Sequence, residues 1–206
     1  MTVSGHKQRL HRVVAGVDEA GRGPLAGPVV AAAVILEDEQ IRTSVADSKK
    51  LTELQREALF DQISESAIAI GVGIVSAQDI DRLNILKATM LAMQQAVGEL
   101  SVTPEELNVD GNRCPEVPMI ANAIVGGDAL VPEISAASII AKVTRDRIMM
   151  GLHNLYPNYG FDSHKGYPTK YHREALRSHG VCPEHRRTFK PVKDCLDITI
   201  GKEHLA

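Results

Sequence analysis

Residues 12–36 read RVVAGVDEAGRGPLAGPVVAAAVIL, two apolar runs separated by a glycine-rich turn. Both runs consist of small and β-branched residues, the pattern of strands covered on both faces. Val13, Val14 and Val17 lead directly into two adjacent acids, Asp18 and Glu19. A carboxylate persists in such surroundings only if it is paired, hydrogen-bonded or bound to a cation. The pair is therefore either a solvated turn or the start of a metal site.

The rest of the chain supplies further layers. Residues 37–50 are polar and end in Asp47-Ser48-Lys49-Lys50. Thr52 with Gln55 three residues on is a capping-box pattern for a helix reaching about Ser66, with Leu51, Leu54, Ala58, Leu59 and Ile63 as its apolar stripe. Residues 68–75 read as a third strand, and Ser76 and Asn84 mark helix starts. Thr103-Pro104-Glu105-Glu106 has proline at a first helical position and acids in the first turn, so it predicts a helix fragment. Strands follow over 107–110 and 119–125. A long helix over 135–155 breaks before Pro157. A loop rich in glycine, proline and aromatics spans 159–169, and a helix over 169–179 ends at Gly180. The segment after Val192 is weakly patterned. This order predicts an α/β fold, a mixed sheet flanked by helices with a helical C-terminal part from about residue 152. At 206 residues the chain fits one domain, and with 3% aromatics and no Trp its core must be aliphatic.

Composition excludes some classes. No apolar stretch is long enough to span a membrane, and the N-terminus MTVSGHKQRLHR lacks the apolar region of a secretory signal. Three cysteines without a CxxC pair fit a reducing compartment, so a cytoplasmic protein is expected. The net charge of −3 does not by itself imply a nucleic-acid partner, although a local basic patch would serve one.

Asp18, Glu19, Asp110 and Asp128 each stand where an apolar run ends, with glycine nearby. Sites in α/β sheets gather at such strand ends. If the strands bearing Asp18 and Asp110 are neighbours, two charges about 4 Å apart repel by roughly 4 kcal/mol at an effective dielectric near 20. Several such charges require cations or partial protonation. An all-oxygen cluster suits Mg²⁺ or Mn²⁺ and not zinc. Any one of these acids alone would be an ordinary turn residue; the set favours metal.

These residues sit within longer motifs: GVDEAGRGPLAGPVVAAAV (16–34), DSKKL (47–51), LNILKATMLAM (83–93), VDGN (109–112), GGD (126–128), ISAASIIAKVTRDR (134–147), YPNYGFDSHKGYPT (156–169) and HRRTFKPV (185–192). In them the chain resembles bacterial ribonuclease HII, the type 2 ribonuclease H family, from about Gly16 to Val192. The short stretch before the first strand disfavours the sister type HIII, which carries an extra N-terminal domain. The resemblance implies a ribonuclease H-like mixed five-stranded sheet. It implies an endonuclease that cuts the RNA strand of RNA–DNA hybrids and incises at ribonucleotides embedded in duplex DNA. Its metal-binding acids fall on Asp18, Glu19, Asp110 and Asp128. Two divalent ions would activate the attacking water and support the departing 3′-oxygen, leaving 5′-phosphate and 3′-hydroxyl products.

The same resemblance assigns the sugar contacts. Selectivity must come from the ribose 2′-hydroxyl, both donor and acceptor. Gly21-Arg22-Gly23 would approach it through backbone groups, and Tyr167 would stack near the following sugar; a glycine turn and an amphipathic loop tyrosine are the plain alternatives. Phosphate contacts are expected from Lys49, Lys50, Ser138, Lys142, Arg145, Arg186 and Arg187, and from the helix opened by Asn84. Ser138, Lys142 and Arg145 share one helix face by spacing, although Arg145 and Asp146 are equally open to a structural pairing. His179, Cys182, His185 and Cys195 fit no compact zinc spacing. A monomer acting on nucleic acid is the expected assembly. The competing functions are a catalytically silent hybrid-binding protein and a metal-dependent DNA nuclease or phosphatase on a similar sheet.

Overall fold

The computed structural model describes residues 12–45 and 51–203. Lys49 and Lys50 lie outside the described residues. Five strands form one sheet: β1 (Val14–Ala20), β2 (Val29–Ile35), β3 (Ala69–Val75), β4 (Glu106–Asp110) and β5 (Ile120–Ile124), in the order β3-β2-β1-β4-β5. The first three are antiparallel, whereas β4 pairs parallel to β1 and β5 parallel to β4. The expected mixed five-stranded sheet is thus present.

Strand β2 explains the unbroken apolar run. Its side chains alternate, so Val29, Ala31, Ala33 and Ile35 enter one core while Ala32 and Val34 enter the other. After the short α3 (Ala77–Leu83), the first core is closed by α4 (Ile85–Gly98) through Ala88, Ala92, Met93 and Ala96. The second is closed by α1 (Glu39–Val45), α2 (Glu53–Ser66) and α5 (Pro132–Leu155). Small residues predominate because helices press on both sides. At Gly16 an added Cβ would lie 2.0 Å from the Glu133 carbonyl carbon, so only glycine lets the start of α5 sit this close to β1.

A helical lobe follows: α6 (Phe161–His164), α7 (Lys170–His179) and α8 (Lys190–Glu203). It has no separate interior. Ala26 packs with Met149, Tyr159 and Phe161, and Leu25 with Leu176 and Val192, so the lobe's apolar clusters are built on the turn between β1 and β2. Among the described residues no helix is long and apolar enough to cross a membrane.

The sequence expectation fails in four places. Residues 103–105 form no helix. A single turn there would pay a nucleation cost that one hydrogen bond cannot offset, whereas the Glu105 N–H reaches Val13 O at 2.8 Å and feeds the chain into β4. The polar segment after Glu37 contains α1, whose first N–H groups bond the Asp38 carboxylate. Leu54 is 80% exposed and off the apolar stripe. The loop expected over 159–169 contains the one-turn helix α6, whereas the tail's helix α8 belongs to the helical C-terminal part that was expected. The capping box at Thr52 and Gln55 is formed as expected.

Candidate active site

Parallel pairing of β1 and β4 sets Val17 beside Val109. Asp18 and Asp110 follow directly, so they arrive at the same end of adjacent strands. Asp18 is buried; its Oδ1 accepts the Glu19 N–H at 2.7 Å, and the Ser138 side chain also bonds it. Burial, with Glu19 and Asp110 as negative neighbours, pushes its pKa up from the ordinary 3.8 to about 8. Glu19 is shifted upward as well, by burial first, while Arg22 holds it down from 3.1 Å. Asp110 Oδ1 accepts the Asp128 N–H at 3.4 Å. Asp128 lies in the 3-10 turn Gly127–Ala129 that follows β5.

Glu19 shares a cleft with the turn after β1. Arg22, Gly23, Ser138, Lys142 and Tyr167 complete its lining. Gly21 has φ +98°, and an added Cβ there would stand 2.1 Å from Arg145 Nε, so both conformation and space require glycine. At Gly23 an added Cβ would meet Tyr167 Cε1 at 3.6 Å, which puts the exposed tyrosine ring against the turn. Helix α5 carries Ser138 and Lys142 to this cleft, and Asp146, one turn on, bonds Lys142 Nζ at 2.7 Å. Asp146 lies in the motif over 134–147 and is open to a structural pairing by sequence; the i, i+4 spacing to Lys142 is the signal for this one.

Several expected phosphate contacts stand elsewhere. Arg145 and Arg186 are 1% and 0% exposed, and their guanidinium groups bond carbonyl oxygens inside the protein. Arg145 donates to Ala26 O, Pro28 O and Lys165 O. Arg186 donates to Gly21 O, Arg22 O, Gly27 O and Pro28 O. Neither guanidinium is presented to a solvent-borne phosphate. Spacing put Arg145 on the right helix, but burial of the β1–β2 turn beneath the lobe was not legible. Asn84 caps α4 with its own Oδ1, which accepts the Leu86 and Lys87 N–H groups a phosphate would have used. Arg187 is exposed, while its backbone N–H bonds Asp81.

A buried chain of imidazoles runs behind Tyr167. His172 Nδ1 meets Tyr167 O at 2.9 Å, so that nitrogen carries the proton. His172 Nε2 then accepts from His185 Nε2 at 3.0 Å, and His185 Nδ1 accepts from the Cys182 backbone N–H at 3.1 Å, with the thiol at 3.0 Å. Both rings are neutral in this arrangement. Burial lowers His172 to about 4 and His185 to about 3. These bonds, and the Cys195 thiol on Leu176 O, leave no zinc set among His179, Cys182, His185 and Cys195.

The donors at the sheet end are all oxygens, and the burial that lifts the Asp18 pKa is a penalty a divalent cation relieves. In chemistry they fit Mg²⁺ or Mn²⁺. Among the described residues no three acids, histidines or cysteines close into a preformed ligand group. The carboxylates meet at one edge without converging on a point.

The pattern that defines ribonuclease HII matches residues 15–192. Ribonuclease HII of Polaromonas sp. (strain JS666 / ATCC BAA-500) is 57% identical over 184 residues, covering 89% of this chain and 92% of that protein. Ribonuclease HII of Burkholderia mallei (strain SAVP1) is 58% identical over 186 residues, covering 90% and 87%. The crystal structure of ribonuclease H2 from Pyrococcus horikoshii OT3 superposes with a TM-score of 0.77 at 31% identity, over 89% of this chain and 97% of that one. On the sheet order, the aligned sequence and these similarities, the chain belongs to the ribonuclease HII family.

Proposed function

We propose that the chain is a divalent-metal-dependent endoribonuclease. It hydrolyses the RNA strand of RNA–DNA hybrids and incises on the 5′ side of ribonucleotides embedded in duplex DNA, leaving 5′-phosphate and 3′-hydroxyl. The observation that carries this reading is the register of β1 against β4, which brings Asp18 and Asp110 to one strand end with Glu19 beside them and Asp128 bonded to Asp110. Family membership supports ribonuclease H activity.

In this reading Asp18, Glu19, Asp110 and Asp128 hold two divalent ions, Mn²⁺ or Mg²⁺. When bound, these supply water activation at neutral pH and charge stabilisation at the leaving oxygen. The protein's own groups do the positioning. Ser138 and Lys142 face the cleft beside the acids and take the scissile phosphate, with Lys142 aimed by Asp146. The Gly21-Arg22-Gly23 turn approaches the ribose 2′-hydroxyl through its backbone, and the Tyr167 ring packs on the neighbouring sugar. Arg187 contacts phosphates farther along the duplex, together with Lys49 and Lys50. The chain works as one catalytic unit and as a monomer, with nucleic acid its partner. Its three free cysteines suit the reducing cytoplasm.

The test is cleavage of a DNA duplex carrying one ribonucleotide, with Mg²⁺ or Mn²⁺ and the cut mapped. Incision on the 5′ side of the ribonucleotide is expected. No incision with either ion refutes the reading, and equal cutting of an all-DNA duplex makes the chain a DNA nuclease. A silent hybrid-binding protein is disfavoured, because clustered carboxylates beside phosphates only weaken binding.

A further inference from the structure

The two buried arginines reach the candidate site from inside the protein. Arg186 Nη1 donates to Arg22 O at 3.1 Å and Nη2 to Gly21 O at 2.6 Å, while Nε and Nη2 also hold Gly27 O and Pro28 O. Both carbonyls of the Gly-Arg-Gly turn therefore point inward at one guanidinium. A trans peptide unit is planar, with its N–H directed opposite to its C=O, and none of the described peptide bonds is cis. The N–H groups of Arg22 and Gly23 consequently point away from Arg186, in a turn that lines the cleft together with Tyr167. Two successive N–H groups facing one way make a concave donor for an anionic or hydroxyl oxygen. Arg145 bonds Ala26 O and Pro28 O from behind and fixes the same turn to Lys165 O, two residues before Tyr167.

We propose that Arg186 is a specificity-positioning residue: by pinning the Gly21 and Arg22 carbonyls it sets the direction of the N–H groups that read the ribose 2′-hydroxyl and its phosphate. The inference rests on the function proposed above and deepens it. The residue must be arginine. A guanidinium offers five donors in a rigid fork, and here one fork serves four carbonyls spread along the turn. A lysine ammonium is a single point with three donors and cannot span them. Carbonyl partners also suit the task better than a carboxylate, because they leave the peptide units and not a second side chain as the thing being oriented.

The experiment compares the full-length wild type with Arg186→Lys and Arg186→Met, under saturating Mg²⁺ or Mn²⁺. The KM for a duplex with one ribonucleotide is measured beside the Ki of the all-DNA duplex of identical sequence used as competitor. A positioning role predicts that KM rises by about 10-fold or more, the worth of a lost charge-assisted contact. The Ki should stay within about twofold, because phosphate binding by other residues is untouched. Equal weakening toward both duplexes, or an unchanged ratio of Ki to KM, overturns the inference. Because either variant can lose its fold, a wild-type measurement stands beside them. The backbone amide NMR signals of Arg22 and Gly23 should shift with the ribonucleotide-bearing duplex and not with the all-DNA duplex; identical responses to both refute the proposal. Failure of the wild type to incise the ribonucleotide duplex sinks the function itself, whereas incision with undiminished selectivity in the variants sinks only the role of Arg186.

Discussion

Replacing Gly21 and Gly23 separately by alanine should divide folding from recognition within one three-residue turn. At Gly21 the new Cβ would lie 2.1 Å from Arg145 Nε, 2.5 Å from its Cδ and 2.8 Å from Pro28 O. The backbone there is left-handed, at φ +98°, which costs a residue with a Cβ about 1–2 kcal/mol. Arg145 cannot swing aside without releasing carbonyls buried with it, and one charged hydrogen bond lost in such a place costs about 1.5–3 kcal/mol. Gly21→Ala should therefore destabilise by about 3–5 kcal/mol, a large share of the roughly 5–15 kcal/mol that holds a domain folded. At Gly23 the Cβ would meet only Tyr167 Cε1, at 3.6 Å, and the residue is exposed. Gly23→Ala should shift stability by no more than about 0.5 kcal/mol, yet lower incision at a single ribonucleotide by filling the gap between turn and ring. Urea unfolding and single-ribonucleotide cleavage decide the matter. Equal urea midpoints for the two variants, or the larger loss at Gly23, would refute the reasoning.

Two further outcomes follow from charge. Asp18→Asn should abolish turnover while stabilising the metal-free protein, since folding without metal must keep the buried Asp18 carboxyl protonated at neutral pH and a neutral amide escapes that cost. With the Asp18 pKa raised from 3.8 to about 8, the gain at pH 7 should be on the order of a few kcal/mol. Urea unfolding in EDTA reads it, and a variant less stable than wild type contradicts it. His172 and His185 have folded pKa values of about 4 and about 3, below the ordinary 6.5. The unfolded chain therefore binds the protons first, and the stability present above pH 6.5 is lost as pH falls toward 4. Measured as wild type minus His185→Gln, so that the carboxylates cancel, the wild-type advantage should shrink by about 2 kcal/mol between pH 7 and 5. A constant difference would show that His185 does not stay neutral in the fold.

The sheet was legible because its signals are local. Alternation and β-branching marked β1, β2 and β3, and each acid closing a strand announced a loop. What was not legible depends on pairing between distant segments. Glu105 bonds Val13 and so enters the sheet instead of a helix. Arg145 has the spacing of a surface contact, yet the turn it holds is folded beneath residues more than a hundred positions away. Arg186 sits in a basic run that reads as a set of phosphate contacts, and only the closing of the lobe over Leu25 and Ala26 reveals its burial. The candidate acids were found by position type; their meeting at one edge needed the parallel register of β1 and β4, which no single segment encodes.

The turn between β1 and β2 is completed by groups that come 158 to 165 positions later in the chain. A ribosome adding about 5–20 residues per second needs on the order of ten to thirty seconds to deliver them. Throughout that interval the first two strands can already have emerged, while the turn between them lacks the guanidinium that holds its carbonyls. Synthesis thus carries its own delay: the growing polypeptide cannot lock this turn until Arg186 has been made.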